Sequence, residues 1–68
     1  MTTGTITRLM RDKGFGFIRD GAGVEYFFHR SSVQGEAFDT LREGEQVEFQ
    51  PGRSDKGPRA EDVRQVGR

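Results

Sequence analysis

Two short segments of this chain carry apolar or ring-bearing side chains on both of their faces. In an extended backbone alternate side chains point to opposite sides, so Phe15 and Phe17 share one face while Gly16 and Ile18 share the other. The same holds for Phe27 and His29 against Tyr26 and Phe28. Turn-forming residues bound both segments: Arg11-Asp12-Lys13-Gly14 before the first, Asp20-Gly21-Ala22-Gly23 between the two. A protein of 68 residues has room for one interior. One of the two side-chain sets must therefore look outward, and a large apolar patch left on a surface marks an interaction site.

The ten glycines fall between short alternating segments, and no helical periodicity is sustained, which is the pattern of a small all-β protein. Strands are expected at 5–10, 15–19, 24–29, 46–50 and 59–66. A polar connection over 30–45 holds Phe38 and Leu41 and one short helical turn near 31–33, and 51–58 reads as a loop rich in glycine, proline and charge. Five strands in this length suit a closed or nearly closed barrel, which removes exposed sheet edges. A chain this short buries only about 60% of its unfolded surface, so the core must be thin. Ile6, Ile18, Phe28, Val33, Val47, Phe49 and Val63 are its candidates, in one domain over 1–68.

Composition closes off several functions. Without cysteine there is no disulfide and no thiolate metal site, and one histidine among scattered carboxylates outlines no metal cage. No cofactor is expected. Gly14-Phe15-Gly16 lacks the third glycine and the following helix of a dinucleotide loop. Ser31 and Ser32 lie near His29 without an orienting carboxylate, so no nucleophile is legible and neither catalysis nor a small-molecule substrate is expected. The opening Met1-Thr2-Thr3-Gly4 has neither the basic start nor the apolar run of a signal peptide. Tyr26-Phe27-Phe28, the longest apolar run, is too short to span a bilayer, so the cytoplasm is the expected compartment.

Nucleobases are the natural partners of an outward ring set. Every base has a flat π-face, and stacking on an aromatic side chain contributes ~1–3 kcal/mol per base. Arg8, Lys13, Arg30, Lys56 and Arg59 supply positive charge near the rings. Nine of the eleven cations are arginine, which stacks on bases as well as pairing with phosphate. A duplex hides its base faces, so the partner expected is single-stranded. Eleven acidic residues bring the formal net charge to zero, which leaves a local basic rim as the requirement.

At these residues the sequence resembles the bacterial cold-shock proteins. Lys13-Gly14-Phe15-Gly16-Phe17-Ile18 matches that family's first ribonucleoprotein motif, and Glu25-Tyr26-Phe27-Phe28-His29 is similar to its second. Gly35, Phe38, Leu41, Glu43-Gly44, Val47, Phe49 and Gly57-Pro58 also fall where the family has them. The resemblance implies a five-stranded antiparallel OB-fold barrel that binds single-stranded RNA and DNA, favours pyrimidine-rich stretches and acts as an RNA chaperone. It implies base stacking on Phe15, Phe17, Phe27 and His29, a further stacking ring at Phe38, and contacts to phosphates or base edges from Lys13 and Lys56. A monomer is expected of a small closed barrel. The chain departs from the family at Arg8, Leu9 and Met10, where a tryptophan, a phenylalanine and an asparagine are usual, and at Arg30, where a phenylalanine is usual. Arg8 and Arg30 are expected to flank the platform, by stacking or by gripping phosphates. The alternative reading is a barrel with weakened nucleic-acid binding that serves as a protein-interaction module.

Overall fold

The computed structural model describes residues 2–33 and 37–66. Gly35, one of the family-like positions, lies outside them. Five strands form: β1 (Thr2–Met10), β2 (Phe15–Asp20), β3 (Glu25–His29), β4 (Gln46–Ser54) and β5 (Gly57–Gln65). Two 3-10 turns, Arg30–Ser32 and Ala37–Thr40, lie on the connection between β3 and β4. The strands close in the order β1-β2-β3-β5-β4.

Four of the pairings are antiparallel, but β3 and β5 run parallel. The expected five-stranded barrel is present, antiparallel at every seam but this one, and the exception has a geometric reason. Strand direction cannot alternate all the way around a closed ring of odd number, so one seam has to be parallel. The long β3–β4 connection supplies the crossover that a parallel pair requires.

The expected loop over 51–58 is instead a hairpin. β4 continues through Pro51, paired with Ala60, and β5 begins before Pro58, paired with Arg53. Only Asp55 and Lys56 remain as the turn. The Ser54 hydroxyl ties it by accepting from the Lys56 N–H at 3.3 Å and donating to the Gly57 carbonyl at 3.2 Å. At the β2–β3 turn Asp20 does similar work. Its Oδ1 accepts the N–H groups of Ala22 and Val24 at 3.0 and 2.9 Å, and its Oδ2 accepts the Tyr26 hydroxyl at 3.1 Å.

The core comprises Ile6, Ile18, Phe28, Val33, Phe38, Leu41, Val47, Phe49, Ala60 and Val63. All seven expected residues are among them. Phe38, expected as a stacking ring, is 2% exposed and lies edge-on to Phe28 at 6.2 Å. It seals the barrel interior, because full burial of an aromatic ring stabilises a small domain by about 1.5–3 kcal/mol.

Two irregularities decide which side chains enter this core. In β1 the register shifts between Ile6 and Arg8, so that Arg8 rather than Thr7 opposes Phe17. Strict alternation from buried Ile6 would send Arg8 inward. The bulge reverses the phase, sends Arg8 out and lets Leu9 pack against the core. In β5 the shift falls opposite Glu48 and Gln50, at Asp62, whose φ is 52°. Aspartate tolerates this left-handed conformation better than most residues. The extra residue carries Asp62 past the interior, so that Ala60 and Val63, three positions apart, are both buried.

Candidate nucleic-acid interface

The outward face of β1, β2, β3 and β5 holds the rings in two transverse rows. Register pairs Arg8 with Phe17, Phe17 with Phe27, and Phe27 with Arg59, giving a cation, two rings and a cation in line across four strands. Beside it run Met10, Phe15 and His29. Neighbouring strands lie about 4.8 Å apart, so each step along a row is close to the reach of a ring. Phe15 and Phe27 have centroids 5.5 Å apart, Phe17 and Phe27 5.8 Å, and Phe15 and Phe17 6.1 Å. The three rings are half-buried, packed edge-to-face or tilted on one another, and each keeps part of its surface in water.

This face exists because the opposite one is full. Gly16 stands where Phe28 crosses β2, and a Cβ there would lie 2.9 Å from the Phe28 ring and 2.7 Å from the Arg8 carbonyl. Phe28 therefore goes in, and Phe27 must go out.

His29 ends β3 with its side chain exposed, and its Nδ1 accepts the Ser31 N–H at 3.2 Å. Lys13 lies exposed on the β1–β2 turn. Lys56, at the tip of the β4–β5 hairpin, joins Phe17, Phe27, Asp55 and Arg59 around a groove of about 470 Å³. The structure thus brings Arg8, Phe15, Phe17, Phe27, His29, Lys56 and Arg59 onto or beside one surface, with Lys13 on the turn leading into β2.

Arg30 and Phe38 are used differently from expectation. The Arg30 guanidinium stands over Phe38, 5.5 Å from the ring centroid, and pairs with Asp39 at 3.7 Å. It lids the core ring instead of extending the platform. Phe38 has no open face beneath it.

Met10 was legible only as a departure from a family pattern, yet it continues the second row beside Phe15. The signal that would have placed it is the β1 bulge, which strand alternation alone does not reveal.

Several carboxylates are held in hydrogen bonds of the fold. Asp20 is occupied by the β2–β3 turn, Glu25 accepts from Thr7 Oγ1 at 2.9 Å and Glu43 from the Leu9 N–H at 3.1 Å. Glu45 takes the Arg42 N–H and the Gln65 amide, both at 3.0 Å. Arg8, Lys13 and Lys56 form no ion pair among the described residues. Asp55 is the carboxylate that shares the groove. The described residues include no group of three or more metal-ligating side chains and no helix long and apolar enough to cross a membrane.

Comparison with known proteins agrees with this geometry. Residues 2–66 match the 'Cold-shock' DNA-binding domain. The chain is 46% identical to the cold shock-like protein CspLB of Listeria monocytogenes over 93% of its own length and 96% of the relative's. It is 45% identical to the cold shock-like protein CspA of Stigmatella aurantiaca, covering 97% and 98% of the two chains. Among solved structures, the Drosophila Unr CSD456 chain superposes with a TM-score of 0.78 at 25% identity, over 97% of this chain and 26% of that one. An OB-fold barrel with its ring rows on one outer face, matched along almost its whole length by these relatives, belongs to the cold-shock domain family.

Proposed function

We propose that this protein binds single-stranded RNA and DNA on the Phe15–Phe17–Phe27 face, holds RNA unfolded as a chaperone, and performs no catalysis. The observation that carries this reading is three mutually packed, half-exposed rings, bordered by cations that form no ion pair among the described residues. Bases stack on Phe15, Phe17, Phe27 and His29, while Arg8, Lys13, Lys56 and Arg59 meet phosphates or base edges. The pyrimidine preference that the family resemblance implies is carried into this reading for the strand as a whole. Chaperoning follows from mass action: a protein that binds unpaired strands and not duplexes shifts RNA toward the unpaired form. The reading places the protein in the cytoplasm as a single-domain monomer over 1–68.

Fluorescence anisotropy of a labelled oligothymidine, with a duplex control and a salt titration, tests it. Binding should be confined to the single strand. The logarithm of affinity should fall against log salt with a slope of about −0.7 for each phosphate neutralised. Absence of binding at low salt would refute the reading and turn attention to protein partners.

A further inference from the structure

Arg59 ends the Phe17–Phe27 row on β5, next to Phe27 in register and lining the same groove. It is only partly exposed, and its Nε is buried without a hydrogen-bond partner. No carboxylate closes on it among the described residues. Asp55 lies elsewhere along the groove, and the Glu61 carboxylate lies over Gly52, the residue opposite Arg59 on β4. A buried N–H without an acceptor is costly, and native proteins tolerate few of them. This one belongs to a planar fork, seated beside a ring that offers a stacking face.

The height of the group matters. Lys13 and Lys56 are exposed turn residues, free to follow a phosphate backbone in water. Arg59 is partly buried in the groove wall, in register with Phe27, so its guanidinium is better placed for the edge of a base stacked on that ring than for a backbone in open water. Guanidinium N–H groups point in parallel, so they match two adjacent acceptors in one plane. Among the four bases, guanine presents such a pair at O6 and N7, and cytosine presents one at O2 and N3. Adenine sets a donor beside each of its ring acceptors on that edge, and thymine separates its two carbonyls with an N–H.

Building on the stacking reading above, we propose that Arg59 is a specificity-determining residue. It reads the edge of the base stacked on Phe27 and selects a base with two adjacent acceptors, guanine or cytosine, over adenine and thymine. Rotation about the outer side-chain bonds turns the Nε–H from the groove wall to the incoming edge. The unmet donor is satisfied in the same step.

The test uses a set of labelled oligothymidines, each carrying one dG, dC or dA, with the substitution moved through every position. Adenine controls for purine stacking and thymine for pyrimidine stacking. At the best position, dG or dC should bind at least about five-fold tighter than dA or dT, the lower bound for one bidentate base contact. Arg59→Lys keeps the charge and loses the fork, so the dG-to-dA and dC-to-dT affinity ratios should fall to about one. Thermal unfolding of the variant confirms that the barrel is intact. Arg59→Lys with undiminished ratios would overturn the proposal. So would Arg59→Ala that weakens every oligonucleotide equally and flattens the salt slope by about 0.7, since that outcome assigns Arg59 to a phosphate. Wild-type protein that binds without base discrimination overturns this inference alone. Wild-type protein that binds none of the set overturns the stacking reading and this one together.

Discussion

Phe27 and Phe28 are the same residue type, adjacent in one strand, and they do opposite work. Phe28 is fully buried, edge-on to Phe38 and crossing Gly16. Phe27 stands half-exposed between Phe15, Phe17 and Arg59. What separates them is the residue across the strand. Inside, β2 and β3 pair Gly16 with Phe28, large against absent, because the interior is packed to crystal-like density and its volume is fixed. Outside, they pair Phe17 with Phe27 and Phe15 with His29, ring against ring, because an outer surface gains stacking area from every added ring. The same apolar chemistry thus becomes stability on one face and an interface on the other.

Truncating the inner ring should give the largest effect. Phe28→Ala is expected to cost about 3–5 kcal/mol of stability, a large share of what a domain of this size has. Urea denaturation measures it. A variant with a wild-type midpoint would mean that Phe28 is not in the core, and the comparison would fail at its root.

Filling the space opposite Phe28 comes next. In Gly16→Ala the new methyl would meet the Phe28 ring at 2.9 Å and the Arg8 carbonyl at 2.7 Å. The ring can tilt, but the carbonyl belongs to the bulged segment that turns Arg8 outward. A loss of about 1–3 kcal/mol is expected. Oligonucleotide affinity should fall as well, since inner packing sets outer display. Unchanged stability would show that the two faces are less tightly coupled than their register implies.

Phe27→Ala sharpens the contrast. Stability should fall by about 1 kcal/mol, from lost ring–ring packing. Binding to oligothymidine should weaken by ~1–3 kcal/mol, the contribution of one stacked base. Denaturation and anisotropy on one preparation separate the two effects. A stability loss as large as that of Phe28→Ala, with oligothymidine affinity unchanged, would make Phe27 a second core ring.

Much of this division was legible before any coordinates. Both ring sets follow from period-two alternation in 15–18 and 26–29, and the seven expected core residues are all buried. Two of the misses share one cause, which is that alternation counts residues and does not see register. The bulges at Thr7 and Asp62 each reverse the phase of a strand, so Met10 and Ala60 took unforeseen places. Proline and glycine at 51–58 suggested a loop, but pairing with β5 carried β4 through Pro51, where turn propensity yielded to the hairpin. Phe38 lies on a connection with no periodicity. Only the three-dimensional closure of the barrel end shows that it is core. Arg59 was legible as a cation near the rings, but not as one with an unmet donor, because that depends on neighbours from two other strands.

The smallest predicted effect lies where the two faces meet. Tyr26 occupies an inner-face position at the β2–β3 end of the barrel, with its ring 4.8 Å from Phe49 and its hydroxyl on Asp20. The Val24 N–H is the main reason that the Asp20 carboxyl titrates below its usual 3.8, with Tyr26, Ala22 and Gly23 adding to it against partial desolvation. The unfolded chain therefore takes up this proton first as pH falls. Asp20 contributes its stability in full above 3.8 and loses it as pH drops through the lower, folded value. Asp20→Asn should flatten that acid-side decline in melting temperature. Tyr26 moves the other way: desolvation first, and then the hydrogen bond and charge of Asp20, raise it above 10.0. Its contribution is whole below 10.0 and fades as pH rises through the folded value. Tyr26 is the chain's one tyrosine, so tyrosinate absorbance follows it without ambiguity. In Asp20→Asn the charge is gone but the desolvation stays, so the midpoint should drop below the wild-type value and remain above 10.0. A midpoint that does not move would mean that burial against Phe49 alone holds the phenol, and that the polar staple at the barrel mouth is independent of the inner face it closes.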